Sequence, residues 1–243
     1  MNFETSYSCI NLLMKKILLI LIFFFSTQLV SSQECNLNPK KGTKNYIIGY
    51  GSLMENESRT RTNKSALVVK PILIKGFERT WGQNGGIYKI TFLTIIKKEN
   101  SRVNAVYYPV SLKDLKKTDR RESGYCRLKV DEQNLSFYGK KIKTKNKNFW
   151  VYAANPGELK KPTKNHPIVQ SYVDIFMNGC FQIKERYKLD KFPELCVETT
   201  KEWSENWVND RVHARRPFLI PNFYKIDKLL SSYFDHYFDH EYQ

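Results

Sequence analysis

The sequence predicts an α+β fold: a strand-rich unit over residues 46–154 followed by a helical extension. Three observations carry this. Apolar, β-branched runs of strand length recur through 46–154 with a single capped helix among them. The strands do not alternate one for one with helices, as a doubly wound sheet requires, so a sheet or small barrel is expected. After Pro156-Gly157 the apolar residues take up helical spacing.

Taken in order, residues 34–45 are polar and basic and lead into the domain. Tyr46 to Tyr50 is a short buried strand that ends in a sharp turn at Gly51-Ser52. Ala66 to Leu73 is a second strand, interrupted by Pro71, which suggests an edge or a bulge. Asn84-Gly85-Gly86 supplies a turn between Trp81 and the strand Ile87 to Ile96. Val103 to Val110 is a fourth strand. Ser111 opens a helix to Thr118, with Asp114 completing a capping-box pattern and Leu112 and Leu115 sharing a buried face. Tyr125 to Val130 and Phe149 to Ala153 are strands joined by a lysine-rich turn, read as a solvated loop. In the extension, Pro167 to Met177 is a helix presenting Ile168, Tyr172, Ile175 and Phe176, stopped by Asn178-Gly179. The spacing of Trp203 and Trp207 predicts a further helix. The repeat Tyr233-Phe234-Asp235-His236, Tyr237-Phe238-Asp239-His240 reads as an aromatic C-terminal helix. Its His236 and His240 are four apart and could otherwise share a face as metal ligands.

The N-terminus reads as processing signal rather than fold. Lys15-Lys16 precede an apolar run, Ile17 to Phe25, then polar residues and the small-residue site Val30-Ser31-Ser32 before Gln33. That order is a secretory signal peptide over residues 1–33, with Met14 as an alternative start. The run is shorter than the roughly 20 residues of a membrane span, so a membrane anchor is the lesser reading. The segment carries two lysines and one acid, so its removal lowers the formal charge of +16 by only one. Such a charge favours anionic partners. No nucleic-acid motif accompanies it, so no specific nucleic-acid partner is expected. Cys35, Cys126, Cys180 and Cys196 remain after cleavage and could form two disulfides in an exported protein. Three pairings are open, and Cys126, within a strand, could equally be a small buried hydrophobe. The cysteine spacing matches no zinc pattern.

Two segments could carry chemistry. Gly49-Tyr50-Gly51-Ser52-Leu53 follows a buried strand, and its glycines let a ligand approach backbone N–H groups. It lacks the third glycine of a dinucleotide site and the serine of a hydrolase elbow. The second segment, Asp119 to Arg127, joins the capped helix to the next strand and holds Glu122 and Gly124 where the chain turns back. A basic cluster, Arg211, Arg215 and Arg216 with His213, could hold an anion, or be a solvated face paired with Glu202, Glu205 and Asp210.

The strand ending in Tyr50-Gly51-Ser52-Leu53, followed by Asp119, Glu122, Gly124, Tyr125 and Arg127 in a D-x-x-E-x-x-Y-x-R segment, resembles the γ-glutamylcyclotransferase-like superfamily, which includes the AIG2-like proteins. The resemblance spans residues 45–154 and not the extension, 155–243. It implies a small mixed β-barrel with flanking helices and one pocket. There Tyr50, Gly51, Ser52, Leu53 and Tyr125 would bind a small γ-glutamyl substrate, and Glu122 would be the general acid/base. The implied reaction, of lyase or acyltransferase type, releases an amine and 5-oxoproline from a γ-glutamyl amide. It needs no metal or cofactor. Arg120 and Arg121 are expected to face away, since an Arg–Glu122 ion pair would lower the carboxyl pKa and count against a base. The alternatives are a non-catalytic pocket for an acidic small molecule and a polyanion-binding surface. Tyr125 and Arg127 also admit a structural reading, as a packed ring and a sheet-edge charge. The oligomeric state, the leaving group and the role of the extension are not legible in the sequence.

Overall fold

The computed structural model describes residues 35–154 and 156–242, which fall in one compact unit. The expected export segment lies outside them.

The centre of the fold is β1 (Lys44–Gly49), antiparallel to β3 (Ile90–Val110) on one side and parallel to β6 (Lys147–Ala153) on the other. β4 (Cys126–Lys129) extends the sheet beyond β6. β2 (Lys70–Gly85) and β5 (Leu135–Phe137) extend it beyond β3, and β8 (Thr200–Lys201) adds to β2. The sheet curls into a half-barrel, and both its faces are buried. Ile48, Ile72, Val103 and Val151 pack in a core built from strands, while Ile47, Trp150 and Tyr152 face a second core shared with the helices. Burial on both faces is why β1 reads as a continuous apolar run rather than an alternating one.

Several elements depart from the sequence expectation. Ala66 to Val69 turn rather than pair, with Leu67 and Val68 exposed. The second strand starts at Lys70 and runs through Trp81 to Gly85. Pro71 stands ahead of the stretch Ile72–Ile74 that pairs with β5, a place where a strand tolerates a missing N–H. The two strands expected at 87–96 and 103–110 are one, β3. The residues between them, Lys98 to Ser101, bulge opposite Gly76 (φ +75°), with Asn100 also left-handed (φ +62°). A bulged, exposed stretch has no period-two pattern, so it mimics a turn. The hairpin itself closes over Gly86–Tyr88.

α1 (Asn56–Thr62) follows the turn after β1, and α2 (Leu112–Arg121) follows β3. Ser111 Oγ accepts the Asp114 N–H at 3.1 Å, as the capping pattern predicts. The helix runs on to Arg121, and Leu112 is exposed, so Leu115 alone of the expected pair is buried.

Residues 156–242 are less helical than expected. α3 (Gln170–Tyr187) does not stop at Asn178-Gly179. A Cβ on Gly179 would lie 2.6 Å from the Glu55 nitrogen and 2.8 Å from the Met54 carbonyl carbon, so this glycine lets the helix press on the turn that follows β1. Ile168 precedes the helix, in β7 (Ile168–Val169). Trp207 lies in β9 (Trp207–Asn209), not in a helix; it stacks on Trp203 all the same, centroids 5.1 Å apart. β7, β9 and β10 (Glu241–Tyr242) make a small second sheet. α4 (Phe192–Glu198) and α5 (Phe223–Ser231) complete the helices. The C-terminal aromatic repeat is a 3-10 turn, Tyr237–Asp239. His240 stacks on Trp207 while His236 contacts Asp239, so the two histidines share no helix face.

Cys35 bonds Cys126, tying the leader to β4, and Cys180 bonds Cys196, tying α3 to α4. Cys126 is therefore not a free core thiol. No helix among the described residues is long and apolar enough to cross a membrane.

Candidate active site

The turn after β1 is set by two glycines. A Cβ on Gly49 would sit 2.7 Å from the Leu53 Cβ and 3.1 Å from its backbone, so the reversal into the 3-10 turn Ser52–Met54 closes only on glycine. A Cβ on Gly51 would lie 3.2 Å from the Tyr172 hydroxyl. Tyr50 is held at both ends: its hydroxyl donates to the Tyr152 carbonyl (2.6 Å), and its own carbonyl accepts from Arg79 Nη1 (2.9 Å). A trans peptide points its C=O and N–H in opposite directions. Fixing the Tyr50 carbonyl against Arg79 therefore turns the Gly51 N–H the other way. Among the described residues the N–H groups of Gly51, Ser52 and Leu53 meet no backbone acceptor, the condition of a small anion-binding nest.

Arg79 is wholly buried and, among the described residues, has no carboxylate partner. It is satisfied instead by Asn104, Thr199, Thr200 and the Cys196 carbonyl, and it lies 4.7 Å from the Phe176 ring centre. Burial pushes its pKa down to about 9.

The segment from Asp119 to Arg127 is clamped at its ends. Arg127, only 4% exposed, donates to both Asp119 oxygens (2.9 and 2.8 Å) and stacks over Trp150, so it is a buried clamp rather than a sheet-edge charge. Tyr152 donates its hydroxyl to the same carboxylate (2.7 Å). Between the clamped ends the Glu122 N–H bonds Thr118 and the Tyr125 N–H bonds the Glu122 carbonyl. Tyr125 donates its hydroxyl to the Leu93 carbonyl (3.1 Å).

These two segments meet. Tyr50, Gly51, Ser52, Leu53, Glu122 and Tyr125 all line one cavity, with Ile48, Leu93, Tyr152 and Tyr172. The cavity is about 30 Å³, enough to admit water. Burial raises the Glu122 carboxyl above its ordinary pKa, against the smaller opposing effects of Arg121 and Arg216. The Tyr50 and Tyr125 hydroxyls are raised well above theirs, first by burial.

One expectation fails here. Arg120 is exposed, but Arg121 turns inward, its Nε 3.0 Å from Glu122 Oε1. The cause is α1. Arg121 Nη1 donates to the Ser58 carbonyl and Thr62, and Nη2 to Ser52 and Ser58, so the guanidinium is anchored between α1 and the turn with Nε left for Glu122. The basic cluster also pairs differently from expectation. Arg211 binds Asp174 and Asp227, Glu202 pairs with Lys161, and Asp210 accepts the backbone N–H groups of Ser171 and Arg215.

Sequence reasoning missed Tyr152 and Tyr172 as residues that line the cavity. In the sequence Tyr172 is one of four apolar positions on a helix face, and no residue pattern separates a ring that lines a cavity from one that fills a core.

A family model described as gamma-glutamyl cyclotransferase, AIG2-like, matches residues 47–172. Among solved structures, a gamma-glutamyl cyclotransferase is 18% identical with TM-score 0.49, covering 65% of this chain and 90% of that one. An uncharacterized protein from Homo sapiens is 17% identical with TM-score 0.48, covering 67% and 92%. A yeast gamma-glutamyl cyclotransferase specific to glutathione is 12% identical with TM-score 0.37, covering 65% and 97%. No curated protein matches the chain.

Proposed function

Since this chain belongs to the gamma-glutamyl cyclotransferase, AIG2-like family, we propose that it releases an amine and 5-oxoproline from a small γ-glutamyl amide, with Glu122 as general acid/base. The observation that carries this reading is the cavity that Glu122 shares with the Gly51-Ser52 turn. The substrate's α-amine attacks its own γ-carbonyl carbon, so the nucleophile is already tethered and proximity is supplied by the substrate. The amine must lose a proton to attack, and the departing nitrogen must gain one as the amide C–N bond breaks. A single carboxylate of raised pKa can take the first proton and deliver the second. The free N–H groups of the turn suit the oxyanion that forms on the γ-carbonyl. Tyr50, Leu53 and Tyr125 would shape the pocket around the glutamyl chain.

The test is 5-oxoproline release from a panel of γ-glutamyl amides by the purified protein. Equal rates for wild type and Glu122→Gln would refute the assignment. The Arg121–Glu122 ion pair favours a second reading, a pocket that holds an acidic ligand without turnover, because it opposes the basicity that catalysis needs. A thermal shift on adding γ-glutamyl compounds, with no product formed, would select it. The two disulfides support an exported protein, periplasmic or secreted; N-terminal sequencing of the product checks the cleavage near Gln33.

A further inference from the structure

We propose that Arg79 is a positioning residue for the reaction: its unpaired positive charge acts through the Tyr50–Gly51 peptide and makes the Gly51 N–H a stronger donor to the oxyanion. The C-terminal extension supplies part of the cradle that holds Arg79, so the extension belongs to the site. The proposal rests on the cyclotransferase reading and adds to it a charge behind the turn.

Arg79, in β2, is hydrogen-bonded at every guanidinium nitrogen. The strand unit supplies the Tyr50 carbonyl (2.9 Å), the Asn104 carbonyl (3.1 Å) and the Asn104 side-chain oxygen (2.9 Å). The extension supplies Thr200 Oγ1 (2.7 Å), Thr199 Oγ1 (2.8 Å) and the Cys196 carbonyl (2.9 Å). The Cys180–Cys196 bond fastens α4 to α3, whose Phe176 ring lies against the guanidinium. All of these acceptors are neutral. Arg121, Arg127 and Arg211, by contrast, each meet a carboxylate, at 3.0, 2.8 and 2.7 Å. A buried charge without a countercharge is costly. Even with its pKa lowered to about 9, Arg79 is charged at neutral pH.

The charge reaches the cavity through one peptide. Resonance couples the C=O and N–H of a peptide unit. A cation bonded to the Tyr50 carbonyl therefore draws electron density from the Gly51 nitrogen and makes its proton more acidic. Hydrogen bonds in series strengthen one another in this way, the more so where water is excluded. Gly51 lines the cavity with Glu122, and among the described residues its N–H meets no backbone acceptor. The peptides that carry the Ser52 and Leu53 N–H groups are bonded differently: their carbonyls, of Gly51 and Ser52, accept the main-chain N–H groups of Met54 and Glu55. As the γ-carbonyl oxygen of the substrate gains negative charge, it becomes the countercharge that Arg79 lacks. The ground-state carbonyl gains much less, so the effect falls on kcat rather than KM.

The discriminating experiment cancels the charge without removing the residue. Asn104→Asp places a carboxylate where Arg79 Nη2 now meets an amide oxygen at 2.9 Å, so the arginine stays and gains a countercharge. In the full chain, kcat for 5-oxoproline release should fall about tenfold with KM unchanged, a part of the roughly 10²–10³ lost when an oxyanion donor is removed outright. Exchange of the Gly51 amide hydrogen, followed by NMR, reads the same charge without turnover. Hydroxide-catalysed exchange leaves negative charge on the Tyr50 carbonyl oxygen, beside Arg79 Nη1, so Asn104→Asp should slow it. A loosened fold would speed it. Arg79→Gln should repeat the loss of kcat, and stands in for Asn104→Asp should that variant not fold; Arg79→Lys should restore part of the rate. Wild-type kcat in Asn104→Asp, a loss confined to KM, or Gly51 exchange that is unchanged or faster would overturn the proposal and leave Arg79 a structural tie. Absence of 5-oxoproline from wild type with every γ-glutamyl amide defeats the parent reading instead, and Gly51 exchange then decides for or against Arg79.

Discussion

The two segments that line the cavity are built on opposite plans. Gly49 to Leu53 offers main chain: its glycines allow the tight reversal, and its side-chain anchor, Tyr50, is spent on holding the backbone in place. Asp119 to Arg127 offers side chains: an ion pair closes its ends, and Glu122 and Tyr125 project from between them. A backbone donor cannot be tuned but is fixed rigidly, which suits stabilising a charge that forms at one point. A side chain can be tuned in pKa by burial, which suits moving a proton. Substitutions should therefore have different signatures in the two segments.

The largest effect is expected at Glu122. Glu122→Gln should lower 5-oxoproline release by roughly 10²–10⁴-fold, the range of general acid–base catalysis. Stability should move the other way. The carboxyl is raised in the folded state, so its contribution is complete below the ordinary glutamate pKa and is lost as pH rises through the folded value. Thermal melts should show Glu122→Gln equal to wild type at low pH and more stable than it near neutrality. A neutral-pH loss would mean that the Arg121 ion pair, not burial, dominates this carboxyl. Next comes the clamp. Asp119→Asn leaves the Arg127 guanidinium buried without its countercharge. Asp119 itself is about a third exposed, so solvent screening limits the loss, and urea unfolding should show about 1–3 kcal/mol.

Breaking the first segment requires its backbone. Gly51→Ala puts a methyl 3.2 Å from the Tyr172 hydroxyl, facing the cavity. Because the obstacle is the far end of a side chain, the fold should tolerate it. A misplaced reacting centre, by contrast, should lower kcat/KM by about tenfold. An unchanged kcat/KM, measured with the best γ-glutamyl amide, would remove this turn from the site. The contrast with Gly179 is instructive: there the added carbon meets backbone at 2.6 Å, so the same substitution would act on packing rather than on the cavity.

Both segments were legible in the sequence because each carries its reason locally. Glycines at 49 and 51 mark a close approach that a side chain would crowd, and Ser111 with Asp114 marks a helix start. Much of the strand set was legible for the same reason. Other features depend on distant partners. Arg121 turns toward Glu122 because α1 offers the Ser58 carbonyl and Thr62, and nothing within 119–127 encodes that. Gly179 imitates a helix stop until the turn at Met54-Glu55 is seen pressing on it. Trp203 and Trp207 are spaced as a helix pair yet stack across extended chain, since their burial is set by Phe234 and Tyr237 from the far end of the sequence.

The smallest expected effect tests whether the second segment is held by its own clamp or by the helix before it. Ser111→Ala removes the hydroxyl that accepts the Asp114 N–H, at a cost of about 1 kcal/mol. The loss falls on the first turn of α2, whereas Glu122 follows the last, where the Thr118 carbonyl and the Asp119–Arg127 pair fix the chain. Urea unfolding should register the loss while 5-oxoproline release stays at the wild-type rate and pH profile. If activity fell in step with stability, Glu122 would be positioned through the whole length of α2. The division between a segment that is braced and one that is clamped would then have to be abandoned.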